Sequence, residues 1–154
     1  MEIMGKKGLG SLLYKIMIIG FVFAIPTIII LPFCLKYANH ILYSCFMIYP
    51  NGILLLGIIL QFMKLFHSLE ENNPFTMTNV VILKKTGYLS LAISIFWVFD
   101  LLLMVFVIHN HYINYILVLI FLILLFFGVF VALYILSELF LKATTYKEEN
   151  DLTI

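Results

Sequence analysis

Arginine is missing altogether: all nine basic residues are lysine. A site that reads phosphate through bidentate guanidinium forks is therefore excluded. No lysine cluster is dense enough for direct nucleic-acid binding. Charge of either sign is scarce, at 11% of 154 residues, against roughly a quarter in an ordinary soluble domain. A soluble domain this small needs a polar skin, because its surface is large relative to its core. A protein solvated by lipid does not, and a hydrophobic content of 64% with a mean hydropathy of +1.15 selects that class.

Cysteine is limited to Cys34 and Cys45, which form neither a C-x-x-C pair nor zinc-ligand spacing. Both are expected on the outer side of the membrane, as a disulfide or as two buried or interfacial thiols. No Ser-His-Asp set, H-E-x-x-H motif, Gly-rich phosphate loop or paired intramembrane carboxylates are present. The expectation is a protein that is not an enzyme and carries no cofactor or metal. His40, His109 and His111 fall on the outer side, but His109 and His111 lack i,i+4 spacing and have no outer carboxylate nearby except Asp100. A signal-peptide cleavage site is also lacking. Lys6 and Lys7 precede a long apolar run, yet no A-x-A-like site comes after it and bulky Phe33 precedes Cys34. An uncleaved first span is expected.

Long apolar runs, by contrast, are abundant. A spanning helix needs about 20 mostly apolar residues. Four stretches meet that length, at about 16–35, 50–69, 86–108 and 115–137, and a polar tail closes the chain at 138–154. The expected fold is an all-α integral membrane protein, a four-transmembrane-helix bundle packed as two hairpins. Pro26 and Pro32 lie in the first span, where proline normally kinks a helix and neighbours re-satisfy the backbone. Pro50 fits the first turn of the second, after a short connection at 36–49. Asn73-Pro74-Phe75-Thr76 is a turn, and Thr76 suits the N-cap of a helix starting immediately after it.

Lysine placement orients the chain. Lys6, Lys7, Lys15, Lys64, Lys84, Lys85, Lys142 and Lys147 share one side, and only Lys36 takes the other. The positive-inside rule then sets both termini and the middle loop in the cytoplasm of a cell-membrane protein.

Asp100 is the one acidic residue deep inside a span. An intramembrane carboxylate is costly and normally faces a bundle interior or a cavity, or takes up a proton. Counting along the spans puts Thr27 at a similar depth and Gln61 about a turn deeper. These three define a candidate intramembrane polar site, for a proton or ligand or as a structural interhelical hydrogen bond. Gly20-x-x-x-Ala24 and Gly128-x-x-x-Ala132 are small-residue pairs of the kind that let helices approach closely. Trp97 is too deep for an interfacial belt and reads as packing. A bundle this small also suits homo-oligomerisation.

Two polar segments remain. From Thr76 on, Met77, Val80, Val81 and Leu83 oppose Thr78, Asn79 and Lys84. That pattern fits either a helix lying on the membrane surface or the start of the third span. The tail from Tyr146 is charged and closes on Asp151-Leu152-Thr153-Ile154, whose β-branched end suits an extended strand docking on a partner or a disordered end.

These two segments carry a resemblance. Glu71-Asn72-Asn73-Pro74-Phe75-Thr76, Asn79 and the run Leu83 to Gly87, together with the closing K-E-E-N-D-L-T-I, resemble the pattern of the bacterial four-span membrane family DUF2975. The resemblance implies a non-enzymatic protein whose relatives are encoded beside a small helix-turn-helix DNA-binding protein. It implies a regulatory or sensory role in which Pro74, Phe75, Thr76 and Asn79, with Glu149, Asn150, Asp151, Leu152, Thr153 and Ile154, hold that cytoplasmic partner. The alternative from another class is a small-molecule transporter or an immunity or resistance protein using Asp100.

Overall fold

The computed structural model describes residues 8–34, 41–71, 74–103, 105 and 113–152. They form four helices, α1 (Leu9–Cys34), α2 (Ile41–Glu70), α3 (Met77–Leu103) and α4 (Ile113–Leu152). All four are long and apolar enough to cross a membrane, and no strand occurs among the described residues. The chain is an all-α, multi-pass membrane protein.

Each helix begins before its expected span, and α2, α3 and α4 show a local reason for their bounds. α2 begins at Ile41, so Pro50 lies inside it instead of in its first turn. The run from Ile41 to Tyr49 is mostly apolar and gains by staying helical. Losing one backbone hydrogen bond at proline is tolerated where neighbouring helices re-satisfy the backbone. α3 begins at Met77 because Thr76 caps it. The Asn79 amide N–H donates to Thr76 Oγ1 at 3.3 Å and to the Thr76 carbonyl at 3.0 Å. The stretch 77–85 is thus the first turns of α3, not a separate surface helix.

α4 runs unbroken through the expected tail to Leu152. Asp151 and Leu152 are helical, which corrects the expectation of a strand or a disordered end there; Thr153 and Ile154 lie outside the described residues. Between Ser137 and Leu152 there is no proline or glycine, and Leu, Lys, Glu and Ala favour helix. The span has already met the nucleation cost.

Side-chain pairs set the registers. α1 and α2 run antiparallel, with Ser11 Oγ donating to Glu70 Oε1 at 3.2 Å and the Tyr14 ring 5.3 Å from that of His67. Towards the other end, a Cβ on Gly52 would meet Ile28 Cγ2 at 2.7 Å. α2 and α3 meet through Asn79 and Ser68 at one end and Leu89 and Gly57 further along. The turn residue Phe75 pairs with Phe140, and α3 and α4 then match in order through Gly87 with Phe130 to Asp100 with Tyr115. Both expected hairpins exist, and α2 packs on α3 to join them. The bundle is open: among the described residues, α1 and α4 do not approach within 8 Å between Cα atoms.

α3 is the central helix and the most buried. Leu65, Ile82, Leu83 and Leu133 form a cluster capped by Phe62 and Phe140. From Leu12 to Leu31, no residue of α1 is buried, so in a bilayer lipid solvates most of that helix. The close approaches use Gly52, Gly57 and Gly87. A Cβ added to Gly20 or Gly128 would meet no atom of the described residues within 4 Å, so neither small-residue pair expected from the sequence mediates packing between them.

Candidate functional site

Half of the buried residues of α3 are polar: Asn79, Thr86, Ser90, Ser94 and Asp100, beside Val80, Ile82, Leu83, Gly87 and Ile93. In hydrocarbon an unsatisfied polar group costs several kcal/mol, and this stripe is largely satisfied by backbone. Thr86 Oγ1 donates to the Ile82 carbonyl of its own helix at 2.8 Å. Ser90 Oγ donates across to the Phe126 carbonyl at 2.8 Å, and Ser94 Oγ to the Ile123 carbonyl at 3.1 Å. Small hydroxyls at this spacing let α3 and α4 close up and bond them at two successive turns. They are glue.

Asp100 ends the stripe, fully buried. The Tyr115 hydroxyl at the start of α4 donates to its Oδ2 at 3.3 Å. The expected companions are elsewhere. Thr27 is exposed and donates to the Phe23 carbonyl of its own helix at 2.7 Å, and among the described residues α1 and α3 do not approach within 8 Å between Cα atoms. Gln61 lies at the depth of Lys85, by the Ser68–Asn79 and Gly57–Leu89 pairs. That is about 22 Å along α3 from Asp100 at 1.5 Å per residue. The triad Asp100, Thr27 and Gln61 is not assembled. Depth counted from span ends misplaced Gln61 because α2 starts at Ile41, nine residues before the expected span; Thr27 is kept from Asp100 because α1 packs on α2. Nearby, Trp97 Nε1 is buried with no hydrogen-bond partner among the described residues.

The opposite end of the bundle holds the loop and the tail. Asn79 is 1% exposed, and its amide donates to the Ser68 hydroxyl and the Pro74 carbonyl, both at 2.7 Å. It ties the α2–α3 turn together and offers no surface to a partner. Pro74 is buried, Thr76 is half-buried as the cap, and Phe75 is exposed with its ring 5.4 Å from that of Phe140. That contact fastens the turn to α4. Lys84 Nζ pairs with Glu138 Oε1 at 2.8 Å and stands 5.8 Å from the centre of the Tyr134 ring. Beyond it, Tyr146, Glu149 and Asn150 are exposed on helix. Among the described residues no group of three His, Cys, Asp or Glu side chains could hold a metal.

Sequence reasoning missed Tyr115, Ser90 and Ser94. Serine in a span is a visible signal, but which carbonyl it reaches depends on the register of two helices. The family model described as a protein of unknown function, DUF2975, matches residues 8–154. No curated protein and no solved structure matches the chain.

Proposed function

We propose that this chain, which belongs to the DUF2975 family, is a non-enzymatic regulatory or sensory protein of the cell membrane that docks a small cytoplasmic helix-turn-helix regulator. The observation that carries this reading is the shape of the lysine-rich end. α4 has 40 residues, while crossing hydrocarbon takes about 20. About 15 residues past Ser137 therefore extend as helix for roughly 22 Å. Phe75 packs on that helix through Phe140, so turn and tail present one composite surface. Exposed Phe75 and Tyr146 supply its aromatic anchors.

Charge supports a basic partner. Glu148, Glu149 and Asp151 fall near the C-terminus of α4, with no basic residue in its last turn. The helix dipole disfavours negative charge there, and a cationic partner would relieve that conflict. Lysine asymmetry supports cytoplasmic placement of this end and of both termini. Residues 149–154 and Phe75 carry the docking, while Asn79 shapes the turn beneath them.

Full-length protein and a version ending at Tyr146 are purified in mild detergent, and bound proteins are identified by mass spectrometry. A small DNA-binding protein retained only by the full-length chain is the expected result. Equal retention by both forms, or by neither, ends the reading.

Asp100 favours a second reading, a small transporter or an immunity or resistance protein. Its carboxyl is sealed from solvent with Tyr115 as a donor, and structural glue elsewhere on α3 is provided by serines. Asp100→Asn would then impair transport or resistance while the tail truncation would not.

A further inference from the structure

We propose that Lys15, Lys64 and Lys85 form a binding site for the phosphate headgroups of anionic phospholipids on one outer face of the bundle. The site is separate from the tail surface and does not depend on the docking reading.

All three side chains are exposed, and none has a carboxylate partner among the described residues. The next lysine along α3, Lys84, is engaged by Glu138. The registers put the three at one depth. Tyr14 lies against His67, so Lys15 is level with about Phe66. Ser68 bonds Asn79, so Lys85 is level with about Gln61. The three Cα atoms thus span about 8 Å of depth at 1.5 Å per residue, within the reach of flexible lysine stems.

They also share a face. At 100° per residue, the contacts that orient each helix turn Lys15, Lys64 and Lys85 away from the Leu65–Leu83–Leu133 side. Adjacent helices lie about 8–10 Å apart, so three ammonium groups on α1, α2 and α3 cover about 20 Å of lateral distance. Deeper on the same face, Val22, Leu60 and Tyr88 are exposed at 60%, 41% and 55%. Acyl chains would lie on that surface with their phosphates at the lysines. Among the described residues the carboxylates on this side are Glu70 and Glu71, about two turns nearer the α2–α3 turn, with His67 Nδ1 3.6 Å from Glu70 Oε2 and His67 Nε2 3.4 Å from Glu71 Oε1. Charge complementarity and the apolar surface below it together select a phospholipid as the occupant.

The test is native mass spectrometry of full-length protein in mild detergent with equimolar phosphatidylglycerol and phosphatidylcholine. Wild type is expected to retain the anionic lipid preferentially. Each of Lys15→Gln, Lys64→Gln and Lys85→Gln should lower that preference about fivefold, the equivalent of roughly 1 kcal/mol per surface lysine. Lys142→Gln, which removes an exposed lysine outside the site, should leave it unchanged. The triple lysine-to-arginine variant keeps the charge and should keep the preference, which separates binding from faulty insertion. Absence of headgroup preference in wild type overturns the proposal, as does an equal loss with Lys142→Gln. Displacement of the lipid by inorganic phosphate also overturns it, because the site would then serve the free anion.

Discussion

Glycines at helix contacts and glycines facing lipid behave as different residues in this molecule. At Gly52 a Cβ would sit 2.7 Å from Ile28 Cγ2, on a β-branched side chain that cannot swing aside freely. Gly52→Ala should therefore destabilise the α1–α2 pair by about 1–3 kcal/mol, as overpacking commonly does. Gly128→Ala meets nothing within 4 Å and should stabilise by about 0.5–1 kcal/mol, the helix-propensity gain of alanine over glycine. Unfolding of the purified variants by denaturant in detergent reads both. Asn79→Ala is expected to cost about 1–3 kcal/mol, because the buried Pro74 carbonyl loses its donor. Limited proteolysis should then cut the α2–α3 turn sooner. Ser90→Ala should cost only about 0.6 kcal/mol, the usual size of an interhelical hydrogen bond in a membrane, measured in the same unfolding experiment.

At the scale of one element, α4 matters most, because it joins the Asp100 contact at Tyr115 to the exposed end at Asn150 without a break. Thr145→Pro removes a backbone donor and clashes with the carbonyl of Leu141, so it should break the projecting helix. Its circular dichroism should show lost helicity, and under the docking proposal it should lose the proposed partner as fully as the version ending at Tyr146 is expected to. Partner retention by the proline variant would mean that a linear peptide is recognised, not a helix. Glycine and proline are absent from 129–152, so a long helix was readable there. A charged, β-branched ending suggested an extended segment instead, since local propensity is weak beside continuation from a formed span.

For the whole molecule, the open arrangement is the distinctive property. A closed up-down-up-down bundle would bring α1 against α4. Here α2 and α3 separate them. Paired cysteines at Gly87 and Phe130, in a background with Cys34 and Cys45 replaced by serine, should cross-link within one chain under mild oxidation. Cysteines at Gly20 and Gly128 should not, and efficient intramolecular cross-linking of that pair would show a closed bundle. An unclosed rim also leaves two lipid-facing helices on which partners, lipid or a second copy can act without disturbing the core.

Composition and residue order by themselves determined that lipid is the solvent, that the chain has four helices long and apolar enough to cross it, and that one end is set to carry most of the lysines. These properties depend on how much apolar length the chain presents and where charge interrupts it, so they survive without knowledge of any contact. The cap at Thr76 was equally local, because a hydroxyl three residues from an amide needs only its own turn. Tertiary structure alone decided that Asp100 faces Tyr115 instead of Thr27 and Gln61, that Asn79 serves the turn, and that Ser90 and Ser94 bond α3 to α4. Those outcomes depend on the axial register and rotation of whole helices. Register comes from how the side chains of two surfaces interlock, as Gly87 does against Phe130 and Leu133, and no periodicity within one helix contains the shape of its neighbour.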